Sequence, residues 1–252
     1  MKIVLTNDDG ILAEGIYAIY KELRKVGDVT VVAPDREKSS ISHSITLTRP
    51  LWKQEIERGG AAFGTALSGT PADCVKYAAR FLLKSVPDLV VSGINPGPND
   101  GCSVFYSGTV GGAREGAMMG AQAVALSVNA FQDVDFSSAV SYGMKVIRFL
   151  MKNPLPKGSF FNINVPNKPS AAIRGVKITR QGMAPIRARF YERTNPYGAK
   201  YLWMSGIMPS PGKETEKDTH ALQADYVTVT PLHCDQTDYQ VYEQLCGKKL
   251  SF

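Results

Sequence analysis

The chain has 252 residues, 44% of them hydrophobic and 21% charged, with a formal net charge of +6. These values fit a soluble globular protein with room for one large α/β core, and no stretch approaches the length of a membrane span. Four irregularly spaced cysteines with no CxxC pair argue against a disulfide framework, and three histidines with no HExxH spacing argue against His-based zinc chemistry. Met1 leads into a strand with no basic n-region or cleavage site, so the expected compartment is the cytoplasm.

Lys2-Ile3-Val4-Leu5-Thr6 is a short apolar, β-branched run, and it delivers Asn7-Asp8-Asp9-Gly10 at its carboxyl end. Ligands of open parallel sheets bind at that end of the strands. Two adjacent carboxylates repel each other unless a cation or a shared proton lies between them, and a hard divalent ion such as Mg²⁺ or Mn²⁺ prefers oxygen donors. Residues 14–26 place Ile16, Ile19, Tyr20, Leu23 and Val26 at helical intervals, and residues 28–34 form a second β-branched run. The opening therefore reads βαβ and predicts a parallel sheet. A polar loop with four serines, residues 35–44, follows the second strand, where its hydroxyls and N–H groups can meet a metal or phosphate oxygens.

Residues 45–47 and 51–56 are expected to pair as an edge hairpin. Thr70-Pro71 opens a helix whose free N–H groups could hold an anion. The buried strand Leu89-Val90-Val91 runs into a Gly-, Pro- and Asn-rich loop, with Asn95 just beyond it in reach of a metal at Asp8. Ser107-Gly108-Thr109 then opens a helix as a candidate phosphate cradle, although the lysine of a P-loop is absent. Further strands are expected at 123–128, 160–166 and 226–230, with a helix at 140–151. Residues 174–200 carry seven basic residues against one acid, Glu192, an excess equal to the net charge of the whole chain. This stretch reads as a projecting hairpin for subunit contact. Its Arg187, Arg189 and Arg193 could instead draw anions to the site, and no motif for a nucleic-acid polymer accompanies the charge. A terminal helix near 238–248 is too short to stand alone, so its apolar side must dock on this subunit or another.

Taken together, Thr6-Asn7-Asp8-Asp9-Gly10, Ala33-Pro34-Asp35-Arg36, the serine loop from Ser39 to Ser44, Gly69-Thr70-Pro71-Ala72-Asp73-Cys74, Ser92-Gly93-Ile94-Asn95, Tyr106-Ser107-Gly108-Thr109 and Thr230-Pro231-Leu232-His233 closely resemble the survival protein SurE family along essentially the whole chain. The resemblance implies a Rossmann-like three-layer α/β/α core with a mainly parallel sheet, a projecting β-hairpin and a C-terminal arm, all in one domain. The core would cover about 1–172 and 224–231, the hairpin region about 173–223 and the arm about 232–252. It implies one divalent ion per subunit, Mg²⁺ or Mn²⁺, held by Asp8, Asp9, Ser39 and Asn95, with phosphate at Asn95, Ser107, Gly108 and Thr109. The implied activity is hydrolysis of nucleoside 5′- and 3′-monophosphates by metal-activated water, with Asp8 and Asp9 as the catalytic pair and short polyphosphate as a further candidate substrate. The implied assembly is a homodimer or homotetramer that exchanges hairpin and arm. A noncatalytic nucleotide-binding module would not explain the paired carboxylates. A receiver-like phosphoacceptor would need a third Asp where Asn95 stands and a lysine after the strand at 123–128.

Overall fold

A computed structural model describes residues 1–185, 187–207 and 214–248. In chain order it contains β1 (Lys2–Thr6), α1 (Glu14–Leu23), β2 (Asp28–Pro34), β3 (Lys53–Arg58), β4 (Ala61–Leu67), α2 (Pro71–Tyr77), β5 (Leu89–Pro96), α3 (Gly108–Met119), β6 (Gln122–Asn129), α4 (Phe136–Lys152), β7 (Ser159–Pro166), β8 (Gly175–Ile178), β9 (Arg187–Thr194), β10 (Lys200–Ile207), α5 (Asp218–Gln223), β11 (Tyr226–His233) and α6 (Tyr239–Leu245). Nine strands share one sheet in the order β3-β4-β2-β1-β5-β6-β7-β11-β8. The central five are parallel, β3 runs against β4, and β11 with its parallel neighbour β8 runs against β7.

Period-2 alternation sorts the buried side chains into two layers. Ile3, Leu5, Val91, Leu126 and Ile163 pack against α1 and α4, while Val4, Val90, Ala123, Ala125 and Phe160 pack against α2 and α3. The arrangement is the three-layer α/β/α core expected from the sequence. After β1 the chain moves to β2 on one side of the sheet and returns to β5 on the other. The crevice between the carboxyl ends of β1 and β5 is therefore the topological switch point, where such sheets bind ligands.

One connection breaks the usual handedness. The steps β5–α3–β6 and β6–α4–β7 move the same way along the sheet, yet α3 and α4 lie on opposite faces. The two crossovers must therefore have opposite hands. The step β1–α1–β2 agrees with α3, so α4 is the exception to the right-handed rule. With α4 on the far face, Asn162 and Asn164 of β7 lie under the loop that follows β5.

Three details differ from the sequence expectations. The edge hairpin is β3–β4, turning at Gly59-Gly60, and residues 45–47 form no strand. That segment is tied to the start of α2 instead: the Thr46 N–H donates to Asp73 Oδ1 at 3.0 Å, and the Thr70 hydroxyl donates to the Ser44 carbonyl at 2.7 Å. The projecting part is shorter than 173–223, because β8 pairs with β11 at the sheet edge and α5 packs beside it. Among the described strands, β9 and β10 stand apart as a two-stranded sheet. Residue 186 and residues 208–213 of the expected hairpin region, and 249–252 of the expected arm, lie outside the described residues. Among the described residues, no helix is long and apolar enough to cross a membrane.

Helix α3 can approach the sheet because the residues facing it are small. A Cβ added at Gly112 would lie 2.7 Å from Ser92 Oγ and 3.1 Å from Thr6 Cγ2. Gly112→Ala should therefore destabilise the fold by about 1–3 kcal/mol through overpacking, lowering the melting temperature by roughly 2–4 °C for each kcal/mol. An unchanged melting temperature in calorimetry would show that α3 has room to spare at this point.

Candidate active site

The turn after β1 is fixed before any ligand enters. Asn7 Nδ2 donates to the Gly10 carbonyl at 2.9 Å, the Ile11 N–H donates to the Pro34 carbonyl at 2.9 Å, and Gly10 adopts a φ of 101° against the Arg36 backbone. This turn leaves Asp8 only 7% exposed. One Asp8 oxygen, Oδ1, accepts a short hydrogen bond from the Thr109 hydroxyl. Burial is the main influence on the carboxyl and pushes its pKa up, against the hydrogen bonds from Thr109. Asp9 is pushed up to about 8, first by burial and then by the charge of Asp8.

Neither carboxylate has a cationic partner among the described residues, and Asp9 Oδ2 is buried with no hydrogen bond. Glu37, on the rim of the same cleft, adds a third negative charge that raises both. The two neutral oxygen donors expected from the sequence lie on this cleft as well. Ser39 lines it from the serine loop, and Asn95 lines it from the end of β5. One extra residue in β5, Ile94, shifts the register against β6 and packs into the α1/α4 layer, as bulges beside binding sites do. The Asn95 amide nitrogen donates to the Gly97 carbonyl at 2.7 Å and the Pro96 carbonyl at 3.2 Å, which leaves Oδ1 as the unengaged acceptor. Two carboxylates with one orphaned oxygen, a hydroxyl and an amide oxygen form a hard-donor set that suits Mg²⁺ or Mn²⁺.

The serine loop is fastened at several points. The Lys38 N–H donates to the Asp8 carbonyl at 2.7 Å, and the Ser42 N–H and hydroxyl donate to the carbonyls of Tyr106 and Phe105 at 2.8 and 2.6 Å. Farther along, His43 meets Glu115 Oε2 at 2.9 Å, while Lys76 holds Oε1 at 2.6 Å. Glu115 is 3% exposed, so this buried acid links the loop, α2 and α3.

The expected phosphate residues take different positions. Ser107 lines the cleft and caps α3, accepting from the Val110 N–H at 3.0 Å. Gly108 is pressed against Asp8, where an added Cβ would sit 2.9 Å from the Asp8 Cβ. The Thr109 side chain is fully buried and serves Asp8 rather than the open cleft. The start of α2 does not offer an anion site. Thr70 and Asp73 close a reciprocal capping box there, and Asp73 brings negative charge of its own.

The cleft has a volume of about 840 Å³. Its far wall comes from the β9–β10 hairpin, through Ala188, Met204, Ser205 and Gly206. The hairpin thus lines the cleft of its own chain. Arg187, Arg189 and Arg193 of β9 are not among the residues that line the cleft. Glu37, Tyr106, Phe131 and Met204 were not among the residues anticipated from the sequence. The position of Phe131 just past the carboxyl end of β6 was the signal that could have flagged it.

The anchoring role of Glu115 has a pH signature. Burial works to raise its pKa, but the hydrogen bonds from His43 and Lys76 overcome it and hold the group below the ordinary 4.5. A depressed carboxylate contributes stability above its unfolded pKa and loses it as pH falls through the folded value. Glu115→Gln should cost about 1–3 kcal/mol at pH 7, and the gap from the parent protein should narrow in acid below the usual glutamate range. Urea titrations at pH 7 and pH 3 showing the same gap would contradict this anchor.

A family model described as Survival protein SurE matches residues 3–188. The chain is 45% identical over 245 residues to the 5′-nucleotidase SurE of Syntrophobacter fumaroxidans, covering 97% of this chain and 98% of the relative. It is 43% identical over 250 residues to the 5′-nucleotidase SurE of Carboxydothermus hydrogenoformans, covering 97% and 95%. Among solved structures, the SurE protein of Aquifex aeolicus superposes with a TM-score of 0.85 at 36% identity, covering 97% of this chain and 98% of that one. With the family model matching residues 3–188 and these relatives aligning over nearly their full length, the chain is a member of the survival protein SurE family.

Proposed function

We propose that the protein is a divalent-metal-dependent phosphomonoesterase that hydrolyses nucleoside 5′- and 3′-monophosphates to nucleoside and phosphate. The observation that carries this reading is the carboxylate pair, buried Asp8 and half-buried Asp9, which meets no Lys or Arg among the described residues and shares one cleft with Ser39 and Asn95. Relatives named as 5′-nucleotidases cover nearly the whole chain, which agrees with it. Asp8, Asp9, Ser39 and Asn95 would hold one Mg²⁺ or Mn²⁺ in each subunit. When bound, such an ion supplies Lewis-acid stabilisation of the phosphoryl group and lowers the pKa of water.

The remaining roles belong to the chain itself. Thr109 orients Asp8, so that the other Asp8 oxygen is free for the ion. Ser107 and the amide of Gly108 orient phosphate oxygens at the start of α3, where N–H groups and the helix dipole favour an anion. Asn95 serves both ends, as oxygen donor to the ion and as neighbour of the phosphate. The Asp9 carboxylate, which lines the cleft, is the acceptor assigned to the proton of the attacking water. Short polyphosphate presents the same terminal phosphoryl group and belongs in the same assay. Asp9→Asn should lose activity well beyond the roughly 10- to 100-fold expected for an outer-shell partner of a metal, with an unchanged circular-dichroism spectrum. Near-parental phosphate release from AMP by this variant at saturating Mn²⁺ would sink the four-ligand set.

A second copy of the chain is the proposed partner, in a dimer or tetramer. Helix α6 has no buried residue, and Tyr239, Val241, Tyr242 and Leu245 are all 45% exposed or more. A seven-residue helix with an open apolar side is not stable in water by itself, so a neighbouring subunit is its natural cover. Deleting the chain from Asp235 onward should lower the mass measured by light scattering and the melting temperature together. An unchanged mass would mean that the arm takes no part in assembly.

A further inference from the structure

Along its length the cleft changes from charged to apolar. Its inner end holds Asp8, Asp9, Asn95 and Ser107, while its outer end is built from Phe131, Tyr106 and Met204. These three large side chains are 79%, 58% and 68% exposed. Side chains of that kind are seldom left open beside a ligand cleft unless something covers them. Phe131 is also well braced. Its ring lies against Gly97, where an added Cβ would come within 2.3 Å of Phe131 Cε1, and the Gly97 N–H donates to the Val128 carbonyl at 2.9 Å at the root of the same loop. The Gly97 carbonyl in turn accepts from the Asn95 side chain at 2.7 Å. The backing of this aromatic ring is therefore continuous with an oxygen donor of the inner end.

We propose that Phe131, with Tyr106 and Met204 around it, is the platform on which the nucleobase of the substrate stacks while the phosphate lies at Asp8, Asp9, Asn95 and Ser107. The proposal rests on the nucleoside monophosphatase reading and specifies how the base contributes. The volume of about 840 Å³ lies within the roughly 300–1,000 Å³ common for small-ligand sites, so one nucleotide can span both ends. The occupant of the outer end follows from its chemistry. Two aromatic faces and a polarisable thioether favour a flat π-system over a hydroxylated sugar. Among the described residues, no Arg or Lys lines the cleft, so a second phosphate finds no cation in its wall. Phe131 and Tyr106 come from two different loops and Met204 from the hairpin, so three separate segments contribute apolar surface to the one cleft.

The test compares AMP with ribose 5-phosphate, which carries the same phosphate on the same sugar but no base. Steady-state kcat/KM is measured for the parent enzyme, Phe131→Ala and Phe131→Trp under one Mn²⁺ concentration. Loss of a base–aromatic stack should lower the AMP to ribose 5-phosphate preference of Phe131→Ala by roughly 5- to 150-fold, mainly through KM for AMP, and Phe131→Trp should restore it. An unchanged preference in Phe131→Ala, or an equal fall on both substrates, would overturn the platform while leaving the phosphatase reading in place. A parent enzyme that releases phosphate from neither compound would overturn that reading and the platform with it.

Discussion

Two neighbouring carboxylates removed from water at the end of one strand set the terms for this molecule. Charges withdrawn from water cost several kcal/mol each unless something offsets them, and such a group otherwise takes up a proton. Asp8 is 7% exposed, and among the described residues the side chain that hydrogen-bonds its carboxylate is neutral Thr109. Asp9 is driven to a pKa of about 8 by burial and by Asp8. The surroundings do not relieve the conflict, because Glu37 increases it and neither Asp8 nor Asp9 meets an Arg or Lys among the described residues. A divalent cation resolves it by favouring the charged form of both groups at once. The fold thus holds its acids in a state that suits a metal better than it suits the empty protein.

The wider topology explains how the other donors reach that point. The switch between β1 and β5 opens the crevice, and the bulge at Ile94 sends Asn95 into it. With α4 on the face of α1, the opposite side of β7 meets α3 through Phe160, and the loop after β5 settles over Asn162 and Asn164 on that same side. The Asn99 N–H donates to Asn164 Oδ1 at 2.7 Å, its carbonyl accepts from Asn162 Nδ2 at 2.6 Å, and its side chain donates to the Ser127 hydroxyl at 2.8 Å. These buried polar contacts hold the segment that carries both Asn95 and the backing of Phe131. On the other side, Glu115 and Ser42 hold the serine loop against α3. Catalytic geometry in this chain is therefore secured by neutral amides and hydroxyls on one flank and by an ion-pair anchor on the other.

Much of this was legible in the residues, and the exceptions have physical reasons. The βαβ opening, the Thr70-Pro71 helix start and the convergence of Asp8, Asp9, the serine loop and Asn95 at the carboxyl ends of the central strands follow from local pattern plus the rule for strand ends. The edge hairpin was misplaced because residues 45–47 alternate like a strand but are claimed by capping contacts at α2. Period-2 pattern cannot register such a tertiary competitor. Thr109 had the right residue type for a phosphate cradle, yet its distance from β1 in the sequence hid that its hydroxyl belongs to Asp8. The hand of the α4 crossover leaves no mark in hydrophobic periodicity, since either face of the sheet accepts the same apolar stripe. The aromatic end of the cleft was missed for a related reason: single aromatics in loops carry no period, and only the assembled sheet brings Phe131 beside Tyr106 and Met204.

The central claim is that the carboxylate pair exists to hold a divalent ion. Equilibrium Mn²⁺ binding, followed by electron paramagnetic resonance of the free ion, reads that claim without depending on turnover. The account predicts one Mn²⁺ bound per chain by the parent protein, and a binding curve for folded Asp9→Asn shifted to much higher metal concentration. Equal Mn²⁺ affinity in the two proteins, or no saturable binding by the parent, would contradict it.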